Sequence, residues 1–127
     1  MCQKERPFQL LIRLAGCSTI ALASFIGCHS AFVETTIDNR GPSALRLIEV
    51  DYPNASFGVG SLSPYSQFHY RFKIQGSGPI KLEYTDSQGQ THSVNGPTLD
   101  QGQEGKLIIA IDPEGRVTWQ PSLTKPQ

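Results

Sequence analysis

The sequence predicts an all-β domain, a sandwich of about seven short antiparallel strands, behind an N-terminal signal helix. Three observations carry this reading. Apolar and polar residues alternate with period two in several segments, most strictly at Gln67–Ile74. Clusters of Gly, Pro, Asn and Asp punctuate those segments at short intervals. No stretch beyond residue 32 has the 3.6-residue apolar period of a helix.

The first strand is expected at Val33–Asp38, with Val33, Thr35 and Ile37 on one face, and Asn39-Arg40-Gly41-Pro42 turns the chain. In Leu45–Tyr52 the inward set changes from Leu45 and Leu47 to Ile48, Val50 and Tyr52, which predicts a β-bulge near Leu47. In Gln67–Ile74, Phe68, Tyr70, Phe72 and Ile74 face the core, while Gln67, His69, Arg71 and Lys73 face water. Gln75-Gly76-Ser77-Gly78-Pro79 ends that strand, because glycine accepts positive φ and proline cannot continue the pairing. Ile80, Leu82 and Tyr84 define the next inward face. Asp86-Ser87-Gln88-Gly89 then makes a hairpin into Thr91–Val94. Leu107–Ile111 is apolar at every position, as a central strand would be. Asp112-Pro113-Glu114-Gly115 has the residue order of a type I turn and leads into Arg116–Gln120, where Val117 and Trp119 share a face. Pro121–Gln127, with two prolines and no periodicity, is expected to be a disordered tail. The sandwich domain is therefore placed at residues 33–120. In strand number and spacing the pattern resembles immunoglobulin and fibronectin type III domains, without the Cys…Trp…Cys marker of the former.

The segment before the sandwich has a different character. Lys4, Arg6 and Arg13 precede Leu14–Gly27, an uncharged apolar run that ends at Cys28. It is too short to span a bilayer and has the length of a signal-peptide centre. Phe25-Ile26-Gly27-Cys28 resembles the lipobox of bacterial lipoproteins. That resemblance implies a signal peptide over residues 1–27, cleavage after Gly27, lipidation of Cys28, and an anchor linker over residues 28–32. It also implies a cell-envelope address held to a membrane by lipid, the outer membrane in a two-membrane bacterium. Two other routes fit the same residues. One is cleavage after Ala23, at Ala21-Leu22-Ala23, giving a periplasmic or secreted protein. The other is an uncleaved anchor extended through Ser30-Ala31-Phe32-Val33.

Composition narrows the function. The three cysteines, Cys2, Cys17 and Cys28, all precede the sandwich, which must then be held by its core without disulfides. Removing Lys4, Arg6, Arg13 and Glu5 leaves eight basic and ten acidic residues, the wrong balance for a nucleic-acid surface. His29, His69 and His92 are the histidines; with no thiolate or methionine in the sandwich they cannot make a blue-copper site. No Asp-x-Asp-x-Asp-Gly loop is present, and Asp100-Gln101-Gly102-Gln103-Glu104 reads as a solvated turn. No Gly-x-Ser-x-Gly elbow occurs, and Gly58-Val59-Gly60-Ser61 precedes no helix that would make it a phosphate cradle. No cofactor, metal site or enzyme activity is expected. The segment Pro53–Ser66 reads as a long loop with apolar weight in Phe57, Val59, Leu62 and Tyr65, the candidate contact residues for a protein partner. The expected function is a lipid-anchored, non-catalytic binding or structural module; the alternative is a soluble periplasmic small-ligand or metal-binding protein.

Overall fold

The computed structural model describes residues 30–126. The signal helix, Cys28 and the three processing routes lie outside the described residues, apart from Ser30–Val33 of the uncleaved-anchor alternative. Residues from Ala31 onward form one compact unit that contains the whole core given below. It contains eight strands: β1 Val33–Asn39, β2 Leu45–Tyr52, β3 Ala55–Leu62, β4 Gln67–Phe72, β5 Gly78–Thr85, β6 Thr91–Leu99, β7 Glu104–Ile111 and β8 Val117–Thr124. They form two four-stranded sheets, ordered β4-β1-β7-β8 and β3-β2-β5-β6. Among the described residues no helix is long and apolar enough to cross a membrane.

Strand direction follows from parity. Each strand reverses the one before it, so β1, β3, β5 and β7 run one way and the even strands the other. Neighbouring strands of opposite parity pair antiparallel. β1 and β7 are both odd and adjacent, so they pair in parallel, from Val33 opposite Gly105 to Asn39 opposite Ile111. The expected sandwich was antiparallel throughout; this one central pair departs from it. Parity also sorts the connections. The turns at 39–44, 63–66, 86–90 and 112–116 lie at one end, here called the far end. The turns at 53–54, 73–77 and 100–103 lie at the other, with Ser30 and Lys125.

Alternation places the core. Val33, Ile37, Leu107, Ile109 and Ile111 face Ile48, Val50, Ile80, Leu82 and Tyr84 across the sheets, all nearly inaccessible to water. One open side of the sandwich lies between β6 and β8. There the Trp119 ring lies against Gly96, so close that a Cβ on Gly96 would stand 2.7 Å from the indole and 2.8 Å from Ile80. The other side lies between β3 and β4 and is filled by aromatic rings. Phe57 stacks on Tyr70 at 4.2 Å, and Tyr52 lies 4.1 Å from Phe72.

Three expectations are corrected. Pro53–Ser66 is not a long loop: a tight turn at Pro53–Asn54 leads straight into β3, with Tyr52 opposite Ala55. Asn54 takes φ 72°, a left-handed conformation asparagine accepts, and its Nδ2 donates to the Gln75 carbonyl. Pro121–Gln127 is not a disordered tail through its first half, because β8 continues to Thr124. Pro121 is tolerated there since β8 is an edge strand and its missing N–H costs no ladder bond. Leu47 does not face the core: it is 68% exposed at φ 50°. The expected bulge is present, with the β2–β5 register shifting between Arg46 and Glu49.

The Trp119–Gly96 contact gives a direct test. Gly96→Ala should cost about 1–3 kcal/mol of stability, because the indole or the strand must move to admit the methyl. A urea titration followed by Trp119 fluorescence measures it. An unchanged midpoint would show that this side of the sandwich is loosely closed.

Candidate functional site

The four residues expected to meet a partner separate in the structure. Phe57 and Leu62 point into the core and retain 6% and 5% exposure, and Val59 is half-buried opposite Ile48. Tyr65, in the connection after β3, is 70% exposed at φ 55°. The strand explains the split, because alternate side chains of β3 must turn inward once it pairs with β2.

Two residues that the sequence reading assigned to the core stand outside it beside β3. Leu47 occupies the β2 kink and Tyr70 lies stacked over Phe57 with 40% exposure. The kink involves both strands: the β2–β3 pairing is interrupted at Leu47 and Gly60, between Arg46–Ser61 and Ile48–Val59. Arg46 with Leu47 on β2, and Gly60 with Ser61 on β3, give each strand two consecutive outward residues. Two bulky side chains, Leu47 and Tyr65, thus hold left-handed backbone while exposed to water. Each such conformation costs roughly 1–2 kcal/mol for a residue with a Cβ. Only the Leu45-Arg46-Leu47-Ile48 run, too apolar for simple alternation, hinted at this in the sequence.

The far end carries the densest polar chemistry. A cleft of about 270 Å³ opens among Asn39, Leu45, Tyr84, Asp86, His92 and Asp112. Two turns built on one plan form its walls. Asp86 Oδ1 accepts from the backbone N–H groups of Gln88 and Gln90, both at 2.9 Å, and Asp112 Oδ1 from those of Glu114 and Arg116, at 2.9 and 2.8 Å. The second oxygen of each meets a side chain: His92 Nε2 at 2.8 Å from Asp86, Arg116 Nε at 2.8 Å from Asp112. Tyr84 stacks on His92, and its hydroxyl donates to the Gly115 carbonyl at 3.1 Å, joining one sheet to the other. Asn39, buried, donates from Nδ2 to the Ser43, Leu62 and Ser63 carbonyls and accepts the Gly41 N–H on Oδ1.

These bonds set the titration. The hydrogen bond from His92, then that from the Gln90 N–H, holds the Asp86 carboxyl below its ordinary value. The Arg116 backbone N–H does most to lower Asp112. Burial, then the two aspartates, pushes the Tyr84 phenol above 10.0. Both oxygens of Asp86 and of Asp112 are thus already bonded within their own hairpins, and the arrangement braces the end of the sandwich.

His69 and His92 sit on different sheets. Thr36 Oγ1 lies 3.0 Å from His69 Nδ1 on the outer face of the first sheet. A shallow hollow there runs past Arg71, Glu34 and Lys106, which alternate in charge across β4, β1 and β7. Among the described residues no group of three or more His, Cys, Asp or Glu is placed to hold a metal ion.

Two predictions follow from this geometry. Asp86 and Asp112 are depressed, so their stabilisation is complete above 3.8 and is lost as pH falls through their folded values. Tyr84 is raised, so its share is complete below 10.0 and is lost as pH climbs through its folded value. Urea midpoints across pH should therefore fall at both extremes. Asp112→Asn, which keeps the Oδ1 acceptor but not the charge, should flatten the acid limb; an unaltered limb would assign it elsewhere. Leu47→Asn should raise stability by about 0.5–1 kcal/mol, since asparagine adopts left-handed backbone more readily. A thermal melt that drops instead would mean the exposed leucine packs on something.

Comparison with known proteins supports the architecture. No protein-family model matches the sequence, and no curated protein does. The fold is similar to the NMR structure of a protein from Eubacterium rectale, with a TM-score of 0.53 and 14% identity, over 80% of this chain and 95% of that one. At that identity the likeness concerns the fold alone.

Proposed function

We propose that this chain is an exported cell-envelope lipoprotein, anchored through Cys28, whose sandwich is a non-catalytic interaction module of the immunoglobulin- or fibronectin-like kind. The observation that carries the reading is the placement of cysteine. The last of the three closes the uncharged run Leu14–Gly27, and β1 begins only five residues after it. Five residues extend to at most about 18 Å. A lipid on Cys28 would therefore hold the near end of the sandwich close to the bilayer. The far end, with its braced turns, would project about 25 Å away, the height of an eight-residue strand.

The interaction role is supported by what the far end and the β3 side present: Tyr65 and Leu47 in exposed, conformationally costly positions. Exposed apolar groups on strained backbone add nothing to a monomer's stability, and such outliers concentrate where a surface has a task. Diacyl or triacyl attachment would make membrane association lasting, where one chain is marginal.

Metabolic labelling with palmitate tests the anchor. Label should enter the full chain, disappear in Cys28→Ala and persist in Cys17→Ala. Incorporation that survives Cys28→Ala would refute the assignment.

A further inference from the structure

Charge is sorted along the length of the sandwich. Strand direction places every lysine of the described residues, Lys73, Lys81, Lys106 and Lys125, in the near half with Ser30, and Arg71 with them. Glu34, Asp51, Asp100 and Glu104 share that half, so five basic less four acidic residues leave it at +1. The other three basic and six acidic residues leave the remainder at −3. Within the near half two cations gather at the β4 corner, around Phe32. The Phe32 carbonyl accepts the Gly105 N–H at 3.1 Å. The Arg71 guanidinium lies 4.1 Å from the Phe32 ring centre, and the Lys73 ammonium 5.9 Å. Both cations are exposed, and neither makes an ion pair or a side-chain hydrogen bond among the described residues. Lys81, by contrast, pairs with Asp51 at 3.8 Å. Glu34 stands opposite Arg71 in the ladder, yet the guanidinium is turned to the ring. Contact with a ring face uses none of its N–H donors, and that fork matches the oxygens of a phosphate.

We propose that Phe32, Arg71 and Lys73 are the footing by which the β4 corner rests on an anionic lipid surface, guanidinium and ammonium meeting headgroup phosphates. The inference rests on the reading of Cys28 as the anchor. Four peptide units separate Cys28 from Phe32, a reach of at most about 14 Å. Phe32 is held by its bond to β7 and its contact with Arg71 of β4, so the same limit binds the whole corner. A lipid on Cys28 lies in the bilayer, which keeps these two unpartnered cations beside the headgroups. Each basic residue at an anionic surface favours contact about fivefold, and a short tether supplies an effective concentration of about millimolar, so even a weak contact is populated. The acidic remainder of the sandwich is turned away from the same surface. A tether alone leaves a domain free to swivel; footing at one corner fixes which strands face outward.

Residues 28–127 hold the complete core and have Cys28 as their sole cysteine, so they can be coupled through it to a maleimide lipid in vesicles. Coupling supplies the anchor chemically, so the outcome is independent of whether cells lipidate Cys28, which palmitate labelling tests separately. Lysine acetylation by a water-soluble reagent, read by mass spectrometry, reports the footing. Lys73 should react about fivefold more slowly on phosphatidylcholine vesicles containing one third phosphatidylglycerol than on phosphatidylcholine alone. Lys81, on the other sheet, should react alike on both. Arg71→Gln, with an unchanged urea midpoint, should remove most of the protection, and Glu34→Gln should deepen it. Salt at about 1 M, where the Debye length is about 3 Å, should abolish it. Three results would each overturn the proposal: equal Lys73 rates on the two lipids, protection that survives Arg71→Gln, or equal slowing of Lys73 and Lys81, the signature of surface potential without contact.

Discussion

The molecule depends on one apolar contact, the packing of β1 and β7 onto β2 and β5 through the middle of the sandwich. None of the described residues is a cysteine, and none of their clusters is placed to hold a metal, so neither a disulfide nor a metal site shares the task among them. Ile37, Leu107 and Ile109 on one side, and Val50, Ile80 and Leu82 on the other, lie almost wholly out of water. At about 25 cal/mol per Å² such side chains each contribute a few kcal/mol, against an ordering cost of similar total size. The central strands need both faces managed, which is why Leu107–Ile111 is apolar throughout: its second face carries Ile108, half-covered, and Ala110, buried.

Packing of this kind fixes layers but says little about their ends. Two sheets in contact can slide or splay unless something joins them at the rim. At the far end polar groups do this. Tyr84, rooted in the core of the second sheet, donates to Gly115 in a turn of the first. Asn39, at the end of β1, reaches the carbonyls that close β3. Being buried and fully bonded, Asn39 specifies one arrangement, since any other would strand its amide without partners. The aspartate turns follow the same logic on the surface, each carboxylate closing its own hairpin. A cleft results, yet the Asn39, Tyr84, Asp86 and Asp112 groups in its wall are occupied by the fold itself.

Much of this was legible in the sequence because period-two alternation reports burial directly. The runs at Val33–Asp38 and Ile80–Thr85 became strands with those faces inward, and Gln67–Ile74 did so as far as Phe72, with Ile74 buried beyond the strand end; the exception is Tyr70, whose position on an open side leaves it half out of the core. The Asp-x-x-Gly turns were readable for a local reason, because their hydrogen bonds close within five residues. What escaped depended on distant partners. β3 has glycine at 58 and 60 and serine at 56 and 61, a loop-like composition, and only the neighbouring β2 makes a strand of it. Pro121 argued for a tail; its tolerance depends on β8 having no neighbour on one side. Leu47 was read as inward because hydrophobicity outweighed register, whereas the kink shared with Gly60 sent it out. The signal segment and Cys28 carry the proposed address and lie outside the described residues.

The two open sides of the sandwich were closed by different means, and the contrast bears on function. Between β6 and β8 a single large ring sits on a glycine, with Pro97 and Pro121 in the bordering strands. That side is finished: nothing further can pair with either edge without meeting a proline. Between β3 and β4 several rings share the work, and one of them, Tyr70, remains partly in water. The strand above it is neutral and flanked by leucine and tyrosine on costly backbone. Evolution has cheap remedies for such an edge, a lysine at Gly60 or an asparagine at Leu47, and each fits the protomer by steric or conformational criteria. A side left unguarded where guarding is easy is better explained by use than by neglect, and the lack of charge along β3 suits pairing with another strand rather than recognition of a charged ligand.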